Sequence, residues 1–443
     1  MNRATARWMG LALLAAGAAA GAGAEEIAKL RAYYFGNSFT GNTMPGLHPL
    51  LGAGAGKEWS VQANIQAGIP IWVHMKNILD RNPNGERFLK AAPETDAIVM
   101  LVFGGHGLSY TTQEMWGSRF AQPTDIGDVN ACSYIIEEYL KLNPRGRACV
   151  YTAWPGIPEA GEFRKRVQAE TQQSLLNQGM EREEVLKKVK ERKLTHEEME
   201  PLRRGFDYAS LWLTDDYIPE SAPAERRTRL SAYATALRAK PAAGAGTPST
   251  VAALAAAAQA PEAQVKEDLA AIRIDEKVLA DPAAAAERIG CYIHGWHNTH
   301  SRAHMYAVME ALKERFPALW NEGRLGMVPV GDVFLELDRK MKAGEVPGIV
   351  NIGEFSADGG HLRSGLPRYT LAATHFAVLF REHPGKADWK VFQERSNYDS
   401  GKYGYYVHQP DLAVHLDITP ERAKVVNDTI WAVVSGHPYT RVK

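Results

Sequence analysis

Cysteine is scarce in this chain of 443 residues. The three cysteines, Cys132, Cys149 and Cys291, allow at most one internal disulfide with one thiol left over. Cys149 lies in the apolar run 148–152, where it is expected to be a small buried hydrophobic side chain. A framework of several disulfides is therefore excluded as the means of stabilising this fold.

The chain also lacks an excess of charge of either sign. It has 51 basic and 51 acidic residues, so its formal net charge is zero. Such a balance gives no reason to expect nucleic acid or an anionic membrane surface as a partner. No apolar run after the first 24 residues reaches the length of a transmembrane helix. We therefore predict no membrane span and no nucleic-acid partner.

Residues 1–24 have the pattern of a secretory signal peptide. Arg3 and Arg7 form its basic start, 8–20 its apolar centre, and Ala22-Gly23-Ala24 its cleavage pattern. No cysteine follows that pattern, so a lipid anchor is not expected there. We predict a secreted or periplasmic protein that is cleaved near Ala24 and has a mature chain of residues 25–443.

Apolar runs between turn residues predict buried parallel strands, because near-continuous hydrophobicity suits strands covered on both faces. These runs are 30–35, 96–103, 147–152 and 325–330. Helical spacing of apolar residues predicts helices at 71–79, 131–142, 332–341 and 371–380. Near the end, Thr419 is the expected N-cap of a helix from Pro420 to Gly436. The alternation of strands and helices predicts βαβ units and an α/β fold.

The character of the sequence changes from about residue 158 to about residue 290. Residues 181–204 are dense in charge of both signs, which fits a solvated helix, and 241–261 are rich in alanine. We predict a mostly helical insertion between strands of the sheet. Two roles remain open for it, a passive surface elaboration or a lid that shapes a substrate cleft.

Two short motifs at opposite ends of the mature chain supply the residue types of a hydrolase triad. Gly36-Asn37-Ser38 follows the first predicted strand, and Asp358-Gly359-Gly360-His361 follows the last predicted strand and its helix. A serine hydroxyl needs an imidazole to take its proton and a carboxylate to orient that imidazole. Gly36 allows a turn that would present Ser38 at the carboxyl edge of the sheet.

The Gly-x-Ser-x-Gly elbow of α/β-hydrolases is absent, because Thr40 stands where its last glycine would be. On its two motifs the chain instead resembles the SGNH, or GDSL-like, hydrolase superfamily. The resemblance implies a three-layer α/β/α sandwich with a small parallel sheet of the flavodoxin-like kind. It also implies a serine ester hydrolase that needs no cofactor and no metal, with Ser38 as nucleophile, His361 as base and Asp358 as the orienting acid.

The same resemblance implies an oxyanion hole formed by backbone N–H groups. Ser38 supplies one of them, and Gly68, in the segment 64–70, matches the glycine that supplies the second. The family's third block carries an asparagine that is missing from Phe103-Gly104-Gly105-His106-Gly107. The ring N–H of His106 is the candidate substitute for that donor.

A less specific interpretation of the same residues stays open. Ser38 would then cap a helix that begins near Thr43, and His361 would be an ordinary loop histidine. The missing asparagine also motivates an alternative function, a non-catalytic module of the same fold that binds a glycan or another exported protein.

The substrate is expected to be a small-molecule or carbohydrate ester. Four tryptophans follow strand-like runs or turns, where their flat faces could stack on a sugar ring, although anchoring loops in the core is at least as common for such residues. They are Trp72, Trp116, Trp154 and Trp296.

Histidines are densest at His294, His297, His300 and His304. With a helix beginning near Asn298, His300 and His304 would share one face at the i,i+4 spacing that metal ligands use. No glutamate lies between them as in His-Glu-x-x-His zinc enzymes, and no third ligand is in view. Cleft-lining or helix-capping roles are the favoured interpretation, and no metal site is predicted.

Overall fold

Five parallel strands form a sheet in the order β2-β1-β3-β4-β5. The structure is a computed structural model that describes residues 27–102, 127–155, 172–191, 207–213, 224–238, 250–272, 274–282, 285, 286, 289, 301–356, 360–395 and 416–442. The strands are β1 (Lys29–Gly36), β2 (Glu58–Ile65), β3 (Ala97–Val102), β4 (Arg147–Thr152) and β5 (Leu325–Val328).

Helices flank this sheet, as the predicted α/β/α class requires. One packed group includes α3, α4, α5 and α12, and another includes α14, α15 and α17. The main α-helices are α1 (Ser38–Asn42), α2 (His48–Gly54), α3 (Ile71–Leu79), α4 (Pro83–Ala91), α5 (Asp128–Leu142), α6 (Arg182–Glu191), α7 (Tyr208–Trp212), α8 (Ala224–Arg238), α9 (Val251–Ala258), α10 (Glu262–Ala271), α11 (Glu276–Leu279), α12 (Arg302–Arg315), α13 (Pro317–Asn321), α14 (Val330–Lys342), α15 (Leu366–Phe380), α16 (Lys390–Arg395) and α17 (Pro420–Gly436).

The strands that the sequence predicts are the apolar ones, and β2 is not among them. All six residues of β3 are buried, so this strand has the continuous hydrophobic pattern of a covered parallel strand. In β2, by contrast, Trp59 is buried while its neighbours Glu58 and Ser60 are exposed. Because β2 lies at the edge of the sheet, it needs no continuous apolar run, and its sequence gives a weaker signal.

The strand order places a topological switch point beside β1, whose neighbours are β2 on one side and β3 on the other. Order 2-1-3-4-5 is that of flavodoxin-like sheets, which bind ligands outside the carboxyl ends of the strands at this point. Gly36, the last residue of β1, lies opposite Ile65, the last residue of β2. The turns that follow these two strands therefore lie side by side.

The opposite edge of the sheet, β5, is covered by the C-terminal segment. The Met327 N–H donates to the Tyr439 carbonyl at 2.9 Å. Gly326 permits this approach, since a Cβ there would lie 3.3 Å from the carbonyl oxygens of Tyr439 and Thr440. A covered edge strand offers no free ladder of N–H and C=O groups to another chain.

The predicted insertion region contributes α6 to α11. Helices α8 to α11 pack around an apolar cluster that is separate from the main core. Asp268 lies beneath it and accepts hydrogen bonds from Arg226, Arg229 and Tyr233 at 2.7–3.1 Å. Burial acts to raise the pKa of Asp268, but these donors outweigh it and leave the pKa below its ordinary value.

Helix α7 of the same region packs against α14. Tyr208 donates to the Gly331 carbonyl at 3.1 Å, and Trp212 Nε1 donates to Asp332 at 3.1 Å. Across the described ranges, no helix combines the length and the apolar character that crossing a membrane would require.

His48, His74 and His375 are fully buried in the main core. His48 stacks on Trp59 with ring centroids 4.3 Å apart, and His375 lies edge-on to Tyr151 at 4.6 Å. His74 approaches the Gly36 carbonyl at 3.0 Å. Burial, as the largest cause, lowers the pKa of His74 and of His375 to about 4 and that of His48 well below its usual value. All three imidazoles are therefore neutral in the folded protein at neutral pH.

These histidines predict that the fold loses stability on mild acidification. In the unfolded chain they bind protons near pH 6.5. In the folded chain His74 and His375 resist protonation until about pH 4, and the pKa of His48 also lies well below its usual value because of burial. Lowering the pH between those values therefore favours the unfolded state, by up to about 1.4 kcal/mol per pH unit for each histidine. Urea unfolding over this range measures the slope, and His375→Phe is expected to reduce it. A free energy of unfolding that stays constant across this range would contradict the prediction.

Candidate active site

Gly36 ends β1 and allows a tight turn into α1. A Cβ at Gly36 would lie 1.8 Å from Thr40 Oγ1, so a larger residue cannot be accommodated without moving the turn. The Gly36 carbonyl accepts hydrogen bonds from the Gln66 N–H and from His74 Nε2, at 3.1 and 3.0 Å. The turn is thereby fixed to both β2 and α3.

Asn37 links this turn to the neighbouring one after β2. Its Oδ1 accepts from the Phe39 N–H at 2.9 Å and caps α1, while its Nδ2 donates to the Ile69 carbonyl at 3.1 Å. Ser38 is the first residue of α1 and not the cap of a helix near Thr43, so that alternative interpretation of Ser38 is wrong. The N-cap of α1 is Asn37.

Ser38 and His361 come together although 323 residues separate them in the sequence. Ser38 Oγ lies 2.8 Å from His361 Nε2, and Ser38 is 7 % exposed. With the imidazole proton on Nδ1, the serine hydroxyl donates to Nε2, which is the arrangement that a general base requires. The two sequence motifs thus meet at the carboxyl edge of β1.

The loop that carries His361 is held by aromatic side chains. Trp154 Nε1 donates to the Gly360 carbonyl at 3.0 Å, and its ring stacks on Phe39 with centroids 4.5 Å apart. Phe39 in turn meets the His361 ring edge-on at 5.6 Å. A Cβ at Gly360 would lie 3.2 Å from the Phe39 ring, so the loop fits closely against it.

Leu362, the residue after the histidine, is fixed through its backbone. Its N–H donates to Asn42 Oδ1 at 2.8 Å, and its carbonyl accepts from the Arg368 guanidinium at 3.3 Å. It also forms an antiparallel bridge with Ser356. Burial lowers the pKa of Arg368 to about 10, because its charge is removed from water.

The two backbone N–H groups assigned to the oxyanion hole have no acceptor among the described residues. Ser38 is at the start of α1, where the first N–H groups of a helix lack intrahelical partners. Gly68 lies in the turn after β2 with a φ of +68°, a conformation that glycine adopts readily. Neither N–H group is therefore engaged by the described residues.

Two of the predicted site residues lie outside the described residues. Asp358 belongs to the gap 357–359, and His106 to the gap 103–126. The orienting acid and the third oxyanion donor therefore stay predictions from the sequence.

Of the two interpretations of the tryptophans, burial in the core holds for the two that the structure describes. Trp72 and Trp154 are only 1 % and 3 % exposed, so neither offers a face to a sugar ring. Trp116 and Trp296 lie outside the described residues. Trp154 instead serves to hold the loop of His361.

His304 has a buried carboxylate partner. Its Nε2 lies 2.9 Å from Asp128 Oδ2, and both residues are fully buried. This contact joins the beginnings of α5 and α12. His294, His297 and His300 lie outside the described residues, within which no three potential metal ligands cluster.

Comparison with known proteins yields little. No family model matches the sequence, and no curated protein matches it. A solved structure of a DUF4886 family protein from Bacteroides uniformis aligns over 92 % of this chain and 95 % of that chain, with 10 % identity and a TM-score of 0.35. This distant likeness does not identify the family or its chemistry.

Neither Asn42 nor the hydrogen-bonding role of Trp154 was predicted from the sequence. Asn42 lies four residues after Ser38, a spacing that places both on one face of a helix. That spacing was the available signal for Asn42. Trp154 gave no comparable signal, because Gly360 is 206 residues away in the sequence.

The Trp154 contact predicts a local effect on the loop. Trp154→Phe keeps an aromatic ring against Phe39 but removes the donor to Gly360, at a cost of about 1 kcal/mol in unfolding free energy. We expect faster amide hydrogen exchange in 360–363, measured by mass spectrometry. Trp212→Phe is the matched control, since it also removes a buried indole donor but one that contacts Asp332. Equal exchange of this loop in both variants would contradict the assigned role of Trp154.

Proposed function

We propose that this protein is an exported serine ester hydrolase of the SGNH type. The observation that carries the proposal is the 2.8 Å contact between Ser38 Oγ and His361 Nε2. Such a contact is the signature of a nucleophile and its base, and here it lies at the sheet edge where folds of this topology bind ligands.

The proposed reaction begins when His361 accepts the Ser38 proton as Oγ attacks the ester carbonyl carbon. The carbonyl oxygen then carries negative charge, and the N–H groups of Ser38 and Gly68 stabilise it. Collapse of this intermediate breaks the ester C–O bond, and His361 returns the proton to the departing alcohol. Water, deprotonated by His361, releases the acid from acylated Ser38 in a second such cycle.

Three sequence predictions complete this proposal. Asp358 orients His361 through its second ring nitrogen, and His106 donates the third hydrogen bond to the oxyanion. Each oxyanion donor contributes about 100- to 1000-fold to turnover in enzymes of this kind. Residues 1–24 direct the chain out of the cytoplasm.

Several features favour the SGNH type over other serine hydrolases. The nucleophile follows β1 directly, the candidate oxyanion glycine follows the adjacent strand β2, and the base lies in a loop near the other end of the chain. The Gly-x-Ser-x-Gly elbow is absent. An acyl ester or a carbohydrate ester suits this chemistry, and the buried Trp72 and Trp154 do not favour the sugar.

The proposal predicts covalent labelling of a single serine. A fluorophosphonate probe is expected to label the purified mature protein at Ser38, as located by peptide mass spectrometry. Ser38→Ala and His361→Ala should abolish labelling and lower p-nitrophenyl acetate hydrolysis by at least about 1000-fold, since members of a triad act as a unit. Circular dichroism spectra that match the wild type serve as the folding control.

A folded wild type that neither labels nor hydrolyses esters would refute the proposal and favour the non-catalytic module. Asp358→Asn tests the acid separately. The expected loss is about 10,000-fold in turnover at neutral pH, because the amide favours the wrong imidazole tautomer. Full activity of that variant would remove Asp358 from the triad.

A further inference from the structure

We infer that Asn42 is a positioning residue that fixes the position of the His361 loop relative to Ser38 throughout the reaction. The inference rests on the proposed function of Ser38 and His361. Asn42 is the last residue of α1 and is only 4 % exposed.

The Asn42 amide connects the two halves of the site through both of its polar atoms. Nδ2 donates to the Ser38 carbonyl at 2.7 Å, and Oδ1 accepts from the Leu362 N–H at 2.8 Å. One planar group therefore fixes the backbone of the nucleophile and that of the residue beside the base.

Both contacts require the chemistry of an amide. The contact to the Ser38 carbonyl uses a side-chain donor, and the contact to the Leu362 N–H uses a side-chain acceptor. An aspartate at this position would supply only the acceptor and an alanine neither. Because Asn42 is buried, water does not readily replace the lost partners.

The two Asn42 hydrogen bonds matter most when the direct hydrogen bond between nucleophile and base is lost. Once Ser38 Oγ is acylated it has no proton to donate, so the 2.8 Å hydrogen bond that it donates to His361 is broken. The Asn42 contacts involve the Ser38 and Leu362 backbones and persist in the acyl-enzyme. They keep His361 placed to activate the water that completes the cycle.

Kinetics of Asn42→Ala test this inference. A displacement of reacting groups by about 1 Å costs on the order of 100-fold, so we expect kcat to fall about 10- to 100-fold while KM changes by less than about threefold. Amide hydrogen exchange in 360–363 is expected to quicken. Asn427→Ala is the matched control, because Asn427 is also 4 % exposed and accepts a 2.7 Å hydrogen bond from Tyr369. Asn427→Ala should lower the free energy of unfolding but change neither kcat nor the amide exchange of 360–363.

Asn42→Asp separates positioning from general destabilisation. The carboxylate still accepts from Leu362, so the loop should exchange more slowly than in Asn42→Ala. If the contact to Leu362 positions the base, kcat should be higher in Asn42→Asp than in Asn42→Ala, although the buried carboxylate does not restore stability. A merely structural residue would lose kcat in step with stability. Asn42→Asp also carries the test if Asn42→Ala does not fold.

The outcomes distinguish this inference from the proposed function. A wild type that labels and turns over, with an Asn42→Ala variant that keeps its kcat within about threefold, would overturn the role of Asn42 alone. A folded Asn42→Asp variant with wild-type kcat and wild-type exchange in 360–363 would do the same. An inactive wild type would overturn the proposed function first, and this inference with it.

Discussion

The candidate site depends on one hydrogen-bond distance, the 2.8 Å between Ser38 Oγ and His361 Nε2. The contact joins a helix start to a distant loop, and neither segment determines the position of the other locally. Their separation is fixed by the sheet beneath Ser38 and by side chains that reach across the gap. Much of the polar architecture at the carboxyl edge of β1 can be understood as the support for this distance.

This support consists of hydrogen bonds between buried donors and buried acceptors. Asn37 ties the Ser38 turn to the turn after β2, Asn42 ties it to Leu362, and Trp154 ties the preceding residue, Gly360, to the packed Phe39 ring. Since these donors and acceptors are removed from water, leaving any one of them unpaired is costly, and the arrangement is favoured as a whole. The N–H groups of Ser38 and Gly68 have no acceptor among the described residues, which is what the proposed oxyanion hole requires.

The same core imposes a condition on the pH at which the site is intact. His48, His74 and His375 are buried as neutral groups, and His74 contacts the carbonyl of Gly36 next to the nucleophile turn. Mild acid therefore acts on the scaffold through residues that take no part in the proposed chemistry. In the proposed function, loss of the fold in acid is therefore separable from any change in the site itself.

The sequence by itself determined those features whose signal is local. Continuous apolar runs located β1, β3 and β4, and Thr419 before Pro420 located the start of α17, where its side chain accepts from the Arg422 N–H at 3.2 Å. The motifs at Ser38 and His361 named the reactive residue types, because serine and imidazole chemistry depends on residue identity. Only the tertiary structure decided that these residues meet, that β2 completes the sheet, that Trp154 is buried and that Asn42 connects the two loops. Each of these four features depends on contacts between residues far apart in the chain or on burial at a sheet edge. Long-range contacts and edge burial leave no periodic pattern in the sequence.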